Sequence, residues 1–199
     1  SQFEVLTTGV GPPRAVEALR ERLGQGPRPE LVISSGFAGA LTEGVELHAF
    51  VTASAVRWLV EGRSSPLRLP CTPRSVRGAL PCQVFSCGKV VLGGALSGFS
   101  GPAAVDMESA ALAEVAAGAA IPFAVLRLVT DTPASPISPL AIHAARALSE
   151  RGVRRAGGTA RLVLEAARDP ARAFSFVRAS RNWCALLRRG WRTYAAQAL

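Results

Sequence analysis

Lysine, methionine and tyrosine are almost missing from this chain. One Lys (Lys89), one Met and one Tyr occur in 199 residues, and the other 22 cations are all arginine. Charge is sparse: 19% of residues carry it against 49% that are hydrophobic, which excludes a disordered or acidic tail protein. Metal-ligand spacing is missing too. Cys71, Cys82, Cys87 and Cys184 contain no CxxC pair and only His48 and His143 could join them, so no metal is expected. They read as reduced thiols of a cytoplasmic protein. No uninterrupted apolar run is long enough to span a bilayer: the stretch Ala110 to Thr130 is broken by Glu114, Pro122 and Arg127. The start of the chain lacks a basic region followed by an apolar one, which argues against a signal peptide.

What is present is an uneven charge. The chain carries +9, of which residues 150–199 hold a net +8, eleven Arg against Glu150, Glu165 and Asp169; residues 1–149 are left with +1. A neutral body with a cationic tail is expected to seek phosphate, on nucleic acid or on an anionic lipid surface. The length suits one body, residues 1–168, with an appended tail, residues 169–199.

Four apolar runs predict buried strands: Phe3 to Thr7, Leu31 to Ser35, Phe50 to Val56 and Phe123 to Thr130, with a further pair between Gln83 and Leu92. Pro12 and Pro13 suit the first turn of a helix, continued by Ala15, Val16, Leu19 and Leu23 until Gly24. Asp106 is a natural N-cap for a second helix that Gly118 ends. The Pro-, Arg- and Ser-rich stretch Arg57 to Cys82 predicts a surface loop, and helices are expected from Pro139 to the end. Continuously apolar strands alternating with helices imply an α/β fold with both sheet faces covered.

Four segments carry polar or small residues where such a sheet binds ligands. Thr8-Gly9-Val10-Gly11 joins a strand to a helix, so its N–H groups, with Arg14, could hold an anion; a plain tight turn is an equal reading, because a dinucleotide fingerprint needs a third glycine where Arg14 stands. Ser34-Ser35-Gly36-Phe37-Ala38-Gly39 ends a strand in small residues that let a ligand approach the backbone. Val105-Asp106-Met107-Glu108-Ser109 puts carboxylates at a helix start, where capping is the simplest role. Asp131 closes the apolar strand Phe123 to Thr130, as either a turn residue or a functional acid.

In that order and spacing, TTGVG, ISSGFAGAL, AVDMESAALAEV and IPFAVLRLVTD resemble the nucleoside phosphorylase and methylthioadenosine/S-adenosylhomocysteine nucleosidase superfamily, closest to the hopanoid-associated phosphorylases. The resemblance runs from Val5 to about Pro133. It implies a three-layer α/β/α sandwich around a mixed central sheet with a C-terminal helical extension, residues 1–168 being the catalytic domain. It also implies cleavage of the bond between adenine and the ribose of a 5′-substituted adenosine, adenosylhopane being one such substrate. On this resemblance Glu108 would hold the 2′- and 3′-hydroxyls, Met107 would pack under the sugar, and Asp131 would protonate the leaving purine. Ser35, Gly36, Ala38 and Leu96 would line the substrate, with Gly94 and Ala95 beside Leu96. Gly9, Gly11, Arg14 and Ser35 would receive phosphate. No cofactor is implied beyond inorganic phosphate as co-substrate. In the nucleosidases the acid that activates water lies on a segment that would precede Ser1, so phosphorolysis is the expected reaction, and a second copy of the chain is expected to cover a sheet edge. A non-catalytic, membrane-associated nucleoside binder of the same fold is the alternative.

The tail has its own pattern. Phe176, Trp183, Leu187, Trp191 and Tyr194 fall near one helical face, and Arg181, Arg188 and Arg192 near another. This fits either a helix lying in an anionic membrane interface at the inner face of the bilayer or a helix packed on the body with solvated arginines. Nucleic acid is not an expected partner, since no recognition motif accompanies the charge.

Overall fold

The computed structural model describes residues 3–72, 76–90, 98–149 and 153–198. In chain order the elements are α1 (Pro12–Gln25), β1 (Val32–Ala40), β2 (Phe50–Thr52), β3 (Ala55–Val60), β4 (Arg63–Ser64), β5 (Leu69–Pro70), β6 (Ala79–Pro81), β7 (Gln83–Ser86), β8 (Ala103–Asp106), α2 (Ser109–Gly118), β9 (Phe123–Asp131), α3 (Pro139–Ser149), α4 (Val153–Arg168) and α5 (Pro170–Ala198). The sheet is mixed, in the order β4-β3-β7-β8-β1-β9-β2-β6, with β5 paired to β3. β1 sits centrally, parallel to β9 and antiparallel to β8.

The even-numbered side of β1 is the oily one. Ala38 and Ala40 join Ala15 and Leu19 of α1, Ala110, Leu112, Ala113 and Ala116 of α2, and Phe123, Val125 and Val129 of β9 in one buried cluster. α2 is apolar nearly all round, as a helix sandwiched between a sheet and a second helix must be. On the odd-numbered side lie Ser35 and Phe37, and α5 docks there.

Three expectations change. Phe3 to Thr7 forms no strand: Phe3 packs edge-on against Trp191 and Tyr194 at ring distances of 6.1 and 6.5 Å, Glu4 pairs with Arg22 at 2.6 Å, and Val5 is 90% exposed. Its anchors are helices, so no neighbouring strand takes up its backbone N–H groups. Phe50 to Val56 is two strands, not one, broken at Ala53 and Ser54; β2 pairs with β9 and β3 with β7, at opposite ends of the sheet. Arg57 to Cys82 is not simply a loop, since it holds most of β3 and all of β4, β5 and β6. These pieces run two or three residues and two of them end in proline, which a sheet rim tolerates because one side of a rim strand needs no N–H donors.

The tail is one helix whose aromatic side faces the body. Trp183 meets Phe37 at a ring distance of 6.1 Å, and a Cβ on Gly190 would run into the Phe50 ring. Tyr194 is buried, while Arg181, Arg188 and Arg192 are exposed. Of the two readings of this amphipathic pattern, the structure has the packed one. Among the described residues no helix is long and apolar enough to cross a membrane.

Candidate active site

An arginine in the middle of a buried strand requires a reason, because a lone charge inside a protein is expensive unless paired. Arg127 of β9 is 3% exposed. Its Nη2 lies 2.9 Å from Asp106 Oδ2, donates to Ser34 Oγ at 2.7 Å and to Ser109 Oγ at 3.1 Å, and lies 3.7 Å from Glu108 Oε2. Its Nη1 donates to the Ser35 carbonyl at 3.3 Å. Asp106 in turn accepts from the hydroxyls of Ser86 and Ser109 and from the Ser109 N–H at 3.2 Å while neutralising Arg127; it is not the N-cap of α2 as expected, since that position falls to Glu108, two residues on. Ser86 donates to Asp106, and its oxygen receives the Ala110 N–H at 2.8 Å. The result is one closed polar knot joining β1, β7, β8, β9 and the start of α2.

Glu108 stands at the rim of that knot. The Gly11 N–H at the head of α1 donates to Glu108 Oε1 at 2.8 Å, so the anion that this helix start holds is a carboxylate of the chain itself. Burial raises the Glu108 carboxyl above the usual carboxylate range; the Asp106 charge adds to this, and Arg127 and the Gly11 N–H oppose it. Gly9 and Gly11 both have positive φ, +77° and +94°, a conformation that glycine adopts without strain. The Arg14 side chain folds against Gly9.

Asp131 occupies the other flank of β1. Between Ala38 and Gly39 the β1–β9 register slips by one residue, which leaves Thr130 as a bulge and sets Asp131 opposite Gly39. The carboxylate fills the space a side chain at Gly39 would need: a Cβ there would lie 2.5 Å from Asp131 Oδ2. Thr130 Oγ1 donates to Asp131 Oδ1 at 3.1 Å. Asp131 is 5% exposed, and burial raises its carboxyl above the ordinary value. Gly36 plays the same part for Arg127, since a Cβ on it would lie 2.5 Å from Nη1. Gly39 lies three positions beyond Gly36, ~10 Å along an extended strand. The small residues of β1 thus meet Arg127, the neighbour of Glu108, at one point and Asp131 at another.

Of the residues singled out from sequence, Gly11 and Glu108 come together, and Ser35 and Gly36 lie against Arg127. Met107 is half-buried and Ala38 belongs to the core. Leu96, with Gly94 and Ala95, lies outside the described residues. Ser35 has another neighbour: Trp191 Nε1 donates to its hydroxyl at 2.6 Å. Arg127, Ser34, Ser86 and Ser109 were not picked out by motif. The signal for Arg127 was its charge inside an otherwise apolar strand. The serines had none, because small hydroxyls are common in any chain. Among the described residues no three His, Cys, Asp or Glu side chains are grouped to hold a metal ion.

β8, α2 and β9, which supply Asp106, Glu108, Arg127 and Asp131, all lie in one stretch. Residues 100–167 match the phosphorylase superfamily. Solved structures share the fold of this chain. The S-adenosylhomocysteine nucleosidase of Streptococcus pyogenes, in complex with 5-methylthiotubericidin, aligns with a TM-score of 0.53 and 20% identity over 78% of this chain and 76% of that chain. A 5′-methylthioadenosine/S-adenosylhomocysteine nucleosidase of Borrelia burgdorferi bound to adenine aligns with a TM-score of 0.52 and 18% identity, over 64% and 66%. The MTAN of Chlamydia trachomatis is 25% identical over 65% and 60%, with a TM-score of 0.46. The chain therefore spans roughly three-fifths to two-thirds of the length of several such enzymes. No curated protein matches. At these identities the likeness establishes the fold: a mixed sheet with helices, as in the nucleosidases, plus a long C-terminal helix.

Proposed function

We propose that this chain cleaves the N-glycosidic bond of a 5′-substituted adenosine, by phosphorolysis, and releases adenine. One observation carries the reading: two carboxyls, each raised by burial, border the glycine-bearing part of β1, Glu108 through Arg127 beside Gly36 and Asp131 against Gly39. Such a bond breaks through a ribose with oxocarbenium character and a purine that accepts a proton. Glu108 would bind the 2′- and 3′-hydroxyls, steadied by Arg127 and the Gly11 N–H. Asp131, its carboxyl raised by burial, would give its proton to N7 as the C1′–N9 electron pair passes to the base. A phosphate oxygen would close the new bond to C1′, leaving the 5′-substituted ribose 1-phosphate; Gly9, Arg14 and Ser35 are the groups proposed to receive that phosphate, the Gly11 N–H being held by Glu108. Met107, Ser35, Gly36 and Ala38 would line the nucleoside. No metal or organic cofactor takes part in this scheme.

The substrate reading extends to a lipid-linked nucleoside such as adenosylhopane. What supports it is the outer side of α5, where Phe174 and Val177 are exposed beside Arg172, Arg178 and Arg181, and the helix carries no acid. A second reading, a nucleoside binder without turnover, is favoured by the Gly11 N–H, one of the donors at the head of α1, being already taken by Glu108.

Incubation with methylthioadenosine, with and without phosphate, decides between them. Free adenine appearing only with phosphate is expected; binding in a calorimeter with no adenine under either condition selects the second reading. Asp131→Asn should slow adenine release by about 100-fold or more, the usual worth of a positioned acid. An unchanged rate would remove Asp131 from the mechanism.

A further inference from the structure

The chain's own C-terminal helix lies on the side of β1 that leads to Asp131, with Phe37 still 39% exposed. In the two-residue alternation of β1, Ser35, Phe37 and Gly39 share one side. Each is already engaged: Ser35 by Trp191 of α5, Phe37 by Trp183 of α5, and Gly39 by Asp131. Gly190 brings α5 close enough to β2 that any side chain there would strike Phe50. Phe3 packs on both Trp191 and Tyr194, so the helix also ties down the segment that leads into Gly9 and Gly11. Strand β1, proposed to line the nucleoside, and the segment before α1 are thus fastened to α5, while Asp131 is 5% exposed.

We propose that α5 is a gate: its Trp191–Ser35 and Trp183–Phe37 contacts hold it shut over the β1 side that leads to Asp131, and a nucleoside enters only when the helix lifts. The proposal rests on the nucleoside reading given above. One hydrogen bond and a few edge-on ring contacts are individually weak, so the closed state is reversible. A gate that stands open about one-tenth of the time weakens apparent affinity about tenfold, and a variant that holds it open recovers that factor. The outward side of α5 is arginine-rich and solvated, so lifting the helix breaks no buried ion pair among the described residues.

The test uses the whole chain, with Gly190→Ala to push α5 off Phe50 and Trp191→Phe to keep the ring but delete its N–H. Methylthioadenosine is the probe, titrated in a calorimeter and in stopped flow, while hydrogen exchange is followed across residues 183–194. In the wild type the nucleoside should speed exchange in those residues. In Gly190→Ala exchange should already be fast without ligand, with affinity about tenfold tighter and association faster; Trp191→Phe should fall between. If the wild type binds but the variants, with α5 released, bind no better, α5 is a fixed wall and the gate is wrong while the nucleoside reading stands. Unchanged exchange in both variants also overturns the gate, since the named contacts then do not hold the helix. No binding by any of the three, with α5 released, overturns the nucleoside reading and the gate with it.

Discussion

Arg127 and Asp131 stand four residues apart on one strand and are buried for opposite electrostatic outcomes. Arg127 is paired, so its removal leaves Asp106 as an uncompensated buried charge. Arg127→Met is expected to cost about 3–5 kcal/mol in denaturant unfolding; a loss under about 1 kcal/mol would mean that the pair is not closed as described. Among the described residues no ion pair joins Asp131 to a cation, and burial raises its carboxyl above the ordinary 3.8. The neutral acid is therefore the form the fold prefers, its contribution complete at pH below the ordinary value and lost as pH rises through the raised one. Asp131→Asn should match the wild type in urea midpoint near about pH 3 and exceed it near about pH 8. Equal midpoints at both would show that burial does not perturb this group. Asp131 was legible because it closes a recognisable apolar strand, and Glu108 because it stands in a motif at a helix start. Their perturbation was not, since the burial comes from distant segments, Gly11 against Glu108 and Gly39 against Asp131.

At the level of elements, α5 shows how far an amphipathic pattern reaches. Phe176, Trp183, Leu187, Trp191 and Tyr194 were correctly grouped on one side, but a helical repeat does not say what covers that side. Here it is Phe3, Phe37 and Phe50 of the same chain. The thiols report on this arrangement. Cys184 on α5 is exposed, whereas burial pushes Cys71 and Cys82 up to about 11, so both stay protonated at neutral pH. A thiol reagent should label Cys184 within the native state and reach Cys71 and Cys82 only on unfolding. Fast native labelling of Cys82 would contradict the packing of β6 and β7 around it. β8 was missed because Ala103 to Asp106 is four residues of mostly alanine and valine, too short to show a period.

For the whole molecule, the asymmetry of charge is the property that outlasts every local detail. The arginines of α5 point outward around Phe174 and Val177, with the tryptophans turned in. Anionic vesicles should therefore sediment the chain at low salt and release it at high salt. Phe174→Ser should weaken that binding several-fold without changing the fold. Binding lost equally on Trp191→Phe would point to the inner face instead.

Composition and periodicity by themselves determined the class of fold and the placement of α1, α2, β1 and β9, because these depend on neighbours within a turn or a strand; the two acids were singled out by the resemblance of their motifs to a known family. Tertiary structure alone decided that Arg127 pairs with Asp106, that Gly11 holds Glu108, that a bulge turns Asp131 over Gly39, and that Trp191 reaches Ser35 across 156 positions. Those are contacts between distant residues, fixed by which strands lie side by side and which helix covers them, and no local repeat encodes that choice.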